Sequence, residues 1–159
     1  MGKSSLMNTI FQRKDLVKTS SKPGKTRLAN IFQVGTKYYL TDLPGYGFAK
    51  MGKQMKEDLD ALISWYLEER REYIGAVVML VDAKLGAQQS DIDMYKYILE
   101  LELPVIIVLS KADKISKNEL TKSVQKAEQT FFGQDILAVS SKTKQGIDHL
   151  KKILKVALR

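Results

Sequence analysis

Two kinds of hydrophobic pattern alternate along this chain. Ala76-Val77-Val78-Met79-Leu80-Val81-Asp82 and Pro104-Val105-Ile106-Ile107-Val108-Leu109-Ser110 read as apolar on both faces rather than at every second position. Short runs with no polar face predict strands buried on both sides of a parallel sheet. Leu28 to Val34 and Lys37 to Thr41, separated by Gly35-Thr36, predict a hairpin. Ile136-Leu137-Ala138-Val139 is a further short strand. Between these runs apolar residues recur at helical spacing. One helix carries Met55, Leu59, Leu62 and Tyr66 and ends near Arg71, after a loop-like Phe48 to Gln54. A second starts near Ser90-Asp91 and carries Ile92, Tyr95 and Ile98-Leu99. A third opens on the capping box Ser116-Lys117-Asn118-Glu119 and continues through Leu120, Val124, Ala127 and Phe131. Ile147, Leu150, Leu154 and Ala157-Leu158 mark the last. Trp65 and Tyr66 read as packing residues, and His149 as a surface residue.

Strands that alternate with helices predict a doubly wound α/β domain, its mostly parallel sheet covered by helices on both faces. In such sheets ligands bind beyond the carboxyl ends of the strands. Asp42, Ser110 and Val139-Ser140 all fall at such ends. The chain has 159 residues and shows no repeat or linker, so one domain over 1–159 is expected.

Composition excludes several classes. There are no cysteines, hence no disulfide frame and no thiolate metal site. No apolar run is long enough to cross a bilayer, and the first residues do not read as a secretory or transit segment. A cytoplasmic protein with no membrane partner is the expectation. The formal charge is +8, and it is unevenly spread. Residues 1–56 hold 11 Lys and Arg against Asp15 and Asp42, whereas residues 57–159 are close to neutral. Charge gathered in one third of a chain points to a polyanion, either RNA or nucleotide phosphates.

Specific chemistry then enters at five places. Gly2-Lys3-Ser4-Ser5 opens the first helix (Leu6, Met7, Ile10, Phe11) as the tail of a phosphate-binding loop does. There a lysine reaches the β- and γ-phosphates, a hydroxyl ligates Mg²⁺, and the helix N-terminus favours the anion. Gly24-Lys25-Thr26-Arg27 ends a basic, aperiodic loop, where the Thr26 hydroxyl could complete a Mg²⁺ shell. Asp42-Leu43-Pro44-Gly45 places a carboxylate at a strand end, able to hold Mg²⁺ through water. Its glycine lets a backbone N–H come close to a terminal phosphate. Finally, Ser110-Lys111-Ala112-Asp113 and Val139-Ser140-Ser141-Lys142 follow two strands. A carboxylate there can accept from guanine N1–H and the 2-amino group, which adenine cannot match. A lysine stem can stack on the base, and a backbone N–H can bind O6. These two stretches look like the base-reading motifs of Ras-like GTPases.

Over essentially its whole length the chain resembles the EngB ribosome-biogenesis GTPases. The distinctive strings are Thr19-Ser20-Ser21-Lys22-Pro23-Gly24-Lys25-Thr26-Arg27, Asp42-Leu43-Pro44-Gly45-Tyr46-Gly47-Phe48-Ala49-Lys50 and Lys111-Ala112-Asp113-Lys114. The resemblance implies a Ras-like P-loop fold, GTP and GDP as ligands, Mg²⁺ as cofactor, and a monomer that helps assemble the large ribosomal subunit and meets ribosomal RNA. It assigns Mg²⁺ to Ser4 and Thr26, and phosphate contacts to Gly2, Lys3, Ser4, Ser5, Gly24 to Leu28, and Asp42 to Gly45. Guanine contacts fall on Ser110 to Asp113 and Val139 to Ser141.

Three departures qualify it. Ser110 stands where the family usually has Thr or Asn, and keeps a hydroxyl. Tyr46 stands where Ras-like proteins carry a water-orienting glutamine, an absence the family shares, so slow unaided hydrolysis is expected and no catalytic base is assigned. Family members also begin with a first strand and the first half of the phosphate loop, which the resemblance places before Gly2. Residues 1–159 alone are therefore expected to be unstable and to bind GTP poorly. Two other readings stay open: a non-catalytic RNA- or ribosome-binding fragment, and another Era-like GTPase.

Overall fold

A computed structural model describes residues 2–12, 28–46 and 52–157. The chain forms two compact units, one from residues 1–19 and 75–159 and one from residues 20–74.

The larger unit is built on a parallel sheet of β3 (Val77–Asp82), β4 (Val105–Ser110) and β5 (Ile136–Ala138), in that spatial order. The register pairs Val77 with Val105 through to Asp82 with Ser110, so β3 and β4 end level with one another. Ile107, Val108 and Leu109 are fully enclosed, as runs apolar on both faces require. On one face Leu80, Val108 and Leu137 pack with Leu6 of α1 (Lys3–Phe11) and with Ile147 and Leu150 of α5 (Ile147–Ala157). On the alternate positions Met79, Val81, Ile107 and Leu109 are equally buried, and α3 (Gln89–Glu100) packs against β3 and β4. α4 (Lys117–Thr130) lies beside β5. Tyr95 of α3 meets Phe131, the residue that ends α4, edge to face at 5.1 Å.

Local signals explain the helix boundaries. Ser116 Oγ accepts the Glu119 N–H at 3.3 Å while the Glu119 carboxylate accepts the Ser116 N–H at 2.8 Å, the reciprocal box expected from the sequence. α3 begins one residue before its expected Ser90-Asp91 start. The buried Asp91 reaches back to accept the Gln88 N–H at 2.9 Å, which fixes the first turn.

The smaller unit pairs β1 (Asn30–Val34) with β2 (Tyr38–Asp42) as an antiparallel hairpin, Asn30 opposite Asp42 and Val34 opposite Tyr38. α2 (Lys53–Glu69) buries Leu59, Ile63 and Leu67, one side chain per turn. It starts earlier than the apolar spacing indicates: Gly52 is extended, its carbonyl accepts the Lys56 N–H at 3.1 Å, and the helix begins at Lys53 inside the expected loop. Tyr66 hydrogen-bonds Thr41 of β2 through its hydroxyl. Trp65 corrects the packing expectation: it lies off the Leu59-Ile63-Leu67 stripe and is 52% exposed. His149 is exposed, as expected. Among the described residues no helix is long and apolar enough to cross a membrane.

Candidate nucleotide site

The larger unit gathers its chemistry at the carboxyl ends of β3, β4 and β5. Residues 112–114 after β4 form one tight turn, and Lys111 at its start is left-handed, with φ 60° and ψ 37°. The Ala112 N–H donates to the Val139 carbonyl at 3.0 Å, and the Val139 N–H donates to the Leu109 carbonyl at 2.8 Å. The motif after β4 is thereby locked to the one after β5. Ser140, fully buried, donates through Oγ to Asp113 Oδ1 at 2.6 Å and accepts the Thr143 N–H at 3.1 Å. The Ser140 bond holds the Asp113 carboxyl below the usual carboxylate range, with a smaller opposing effect of desolvation. Asp113 is thus an ionised acceptor that is already oriented.

Ser110 places its hydroxyl inward. It is buried and donates to the Val81 carbonyl at 3.1 Å, tying the ends of β3 and β4 together. The N–H of Ser140 donates to the Gln145 carbonyl at 3.0 Å, so this loop closes on itself. Gly146 follows at φ +71°, and a Cβ there would stand 2.2 Å from the Ala138 carbonyl oxygen, so only glycine fits.

Gly2 sits at the same end of this unit. It precedes α1 with φ +85°, and a Cβ on it would lie 3.8 Å from Cε of Lys111. The Thr9 hydroxyl of α1 lies 3.5 Å from the Ser141 carbonyl. The first turn of α1 carries Lys3, Ser4 and Ser5 and no acidic residue. A helix start of this kind directs backbone N–H groups and partial positive charge at an anion. Gly2, Lys3, Ser4, Ser5, Ser110, Lys111, Ala112, Asp113, Val139, Ser140 and Ser141 therefore all fall at one end of one unit.

In the smaller unit Asp42 ends β2 and is 1% exposed, followed by half-buried Leu43, buried Pro44 and Gly45, and half-buried Tyr46. Leu28 is exposed. Gly24, Lys25, Thr26 and Arg27 lie outside the described residues, as do Gly47 to Lys50. Among the described residues no three His, Cys, Asp or Glu side chains gather as a metal site. The Ser4 hydroxyl of the larger unit and the Asp42 carboxylate of the smaller one are each, taken separately, hard oxygens of the kind Mg²⁺ accepts.

One residue escaped the sequence reading. Asp82, at the end of β3, binds the Lys111 ammonium through Oδ2 at 2.7 Å, while its Oδ1 accepts the N–H groups of Lys84 and Leu85 at 3.0 and 3.3 Å. Burial raises its pKa, but Lys111 and the two backbone donors outweigh that and hold the carboxyl below its usual value. The signal lay in the parallel register: Asp82 stands opposite Ser110, so the residue after Ser110 emerges beside it.

A parallel sheet, a Gly-Lys-Ser helix start and an oriented Lys-x-Asp motif define the Ras-like P-loop GTPase class. A sequence model described as "50S ribosome-binding GTPase" matches residues 1–111, and one described as "Elongation factor Tu GTP binding domain" matches residues 68–158. The probable GTP-binding protein EngB of Kosmotoga olearia is 45% identical over 97% of this chain and 82% of its own length. Its namesake in Clostridium kluyveri is 41% identical over 97% and 79%. The chain belongs to the EngB family of GTP-binding proteins. A crystal structure of a probable GTP-binding protein EngB superposes with a TM-score of 0.81 over 99% of this chain and 93% of that one, at 24% identity. A point variant of Aquifex aeolicus Era bound to GDP·AlF4⁻ follows at 0.80 over 99% and 53%, also at 24% identity. Both establish the likeness of fold, and the expected Ras-like architecture is borne out.

Proposed function

We propose that this chain is a GTP- and GDP-binding switch that uses Mg²⁺, hydrolyses GTP slowly when alone, and acts in assembly of the large ribosomal subunit. The observation that carries the nucleotide reading is the Ser140-oriented, ionised Asp113 beside Lys111. In this reading Asp113 accepts from guanine N1–H and the 2-amino group. The stem of Lys111 lies along the ring. Because the Ser140 N–H already serves Gln145, O6 falls to the N–H of Ser141. Gly2, Lys3, Ser4, Ser5, Gly24 to Leu28 and Asp42 to Gly45 serve the phosphates. Ser4 and Thr26 would ligate Mg²⁺, with Asp42 holding it through water; the ion would neutralise charge on the phosphate oxygens. Tyr46, in place of an amide that orients water, supports slow turnover unless the ribosome positions the water. The likeness to a family described as ribosome-binding, and a first third rich in Lys and Arg, support a factor that meets ribosomal RNA; we read it as cytoplasmic and monomeric.

The test is a titration with guanine, xanthine and adenine nucleotides. Even if its absolute affinity is as low as the sequence leads one to expect, the chain should prefer GDP over ADP by orders of magnitude. Asp113→Asn should shift its preference from guanine toward xanthine, whose 2-oxo group accepts where guanine donates. An Asp113→Asn protein with unchanged base preference would sink the assignment.

A further inference from the structure

We propose that Asp82 is a positioning residue for the base site: it anchors the Lys111 ammonium and stretches the lysine stem into a fixed shelf for a purine ring. The inference rests on the reading of Lys111 and Asp113 as the guanine site. The root of Lys111 is fixed, because its backbone is left-handed and the next N–H is tied to Val139. Its tip is fixed by Asp82 Oδ2 at 2.7 Å. Asp82 in turn cannot swing away, since Oδ1 is held by two backbone N–H groups of the loop that follows β3. Between root and tip, Cε lies 3.8 Å from the point where a Cβ on Gly2 would stand.

A lysine side chain ordinarily loses much rotamer freedom when a ligand stacks on it. Here that freedom is restricted beforehand, which is the way preorganisation raises affinity. The Lys111 side chain is still 40% exposed, whereas that of Asp82 is 14% exposed. The stem therefore keeps an open face for a ligand, while the anchor lies beneath. A stem acts on any planar purine alike. Asp82 should thus raise affinity for purine nucleotides generally, without altering the discrimination that belongs to Asp113.

The experiment measures GDP and IDP affinities for the full chain, Asp82→Asn, Lys111→Met and the double variant. Asparagine retains an oxygen for the Lys84 and Leu85 N–H groups and removes the charge that holds Lys111. We expect Asp82→Asn to weaken GDP and IDP by the same factor, about tenfold, chiefly through faster release. In the Lys111→Met background the same change should cost less than about twofold, because the pair is already broken. An unchanged or raised GDP affinity in Asp82→Asn overturns the proposal, as does an equal loss in both backgrounds. Should Asp82→Asn fail to fold, the carboxyl titration of Asp82 followed by NMR in Lys111→Met decides: its midpoint must rise, and an unmoved midpoint overturns the anchor. If Asp113→Asn shifts base preference while Asp82→Asn does nothing, this inference alone fails. If Asp113→Asn shifts nothing, the guanine reading fails first.

Discussion

Ser140 shows how one hydroxyl can set the chemistry of another residue. It is fully buried, donates to Asp113 and accepts from Thr143. Its bond keeps Asp113 ionised below the usual carboxylate range. The sign follows: the folded pKa is depressed, so the stability gained from this bond is present above the unfolded pKa and is lost as pH falls through the folded one. Discrimination of guanine from hypoxanthine should follow the same curve, persisting through mildly acidic pH and fading only as Asp113 takes its proton. In Ser140→Ala that fading should move to higher pH, as nucleotide titrations at a series of pH values would show. The variant should also lose about 1–2 kcal/mol of stability, because the Thr143 N–H is left without its acceptor. A Ser140→Ala protein whose discrimination profile is unmoved would show that Asp113 does not depend on this bond.

At the scale of elements, the loop from β5 to α5 carries the sharpest steric demand among the described glycines. Gly146 combines φ +71° with a Cβ position 2.2 Å from the Ala138 carbonyl oxygen. Gly146→Ala should destabilise the chain on the order of 3 kcal/mol, measured by urea unfolding, and should loosen guanine binding because Ser140 lies in the same loop. A change below about 0.5 kcal/mol would mean the loop relaxes freely. The strands and helices were largely legible in the sequence. Runs such as 77–82 and 105–110 have one physical meaning in a parallel sheet, and the Ser116–Glu119 box announces its helix directly. Three of the candidate motifs fall where the sequence placed them, at the ends of β2, β4 and β5. What stayed hidden depends on contacts distant in sequence. Asp82 and Lys111 meet only because β3 and β4 end in register. The steric need for Gly146 comes from a carbonyl on the preceding strand. Trp65 read as core because its apolar character says nothing about which side of α2 it occupies, and the stripe at Leu59, Ile63 and Leu67 runs past it.

For the molecule as a whole, charge is the property that local structure does not explain. The excess of 11 basic over two acidic residues in 1–56 contrasts with a nearly neutral remainder. If this region meets RNA phosphates, binding should be governed by counterion release. With about six phosphate contacts, affinity for a ribosomal RNA fragment should fall on the order of 10³-fold between 50 and 200 mM salt. A salt-insensitive affinity would assign the charge to nucleotide phosphates and solubility instead. The curated relatives named above are somewhat longer, this chain spanning about four fifths of each.

The loop 140–146 is closed by its own bonds, Ser140 N–H to Gln145 and Thr143 N–H to Ser140, with Gly146 locking its end. If Asp113 reads a base as proposed, the base would meet a surface that has already given up its disorder during folding. The entropy of shaping the loop is charged to the stability of the protein rather than to the ligand. Sequence changes that loosen this loop should then be felt twice: as a lower melting temperature of the empty protein, and as a binding heat that grows more favourable while affinity falls.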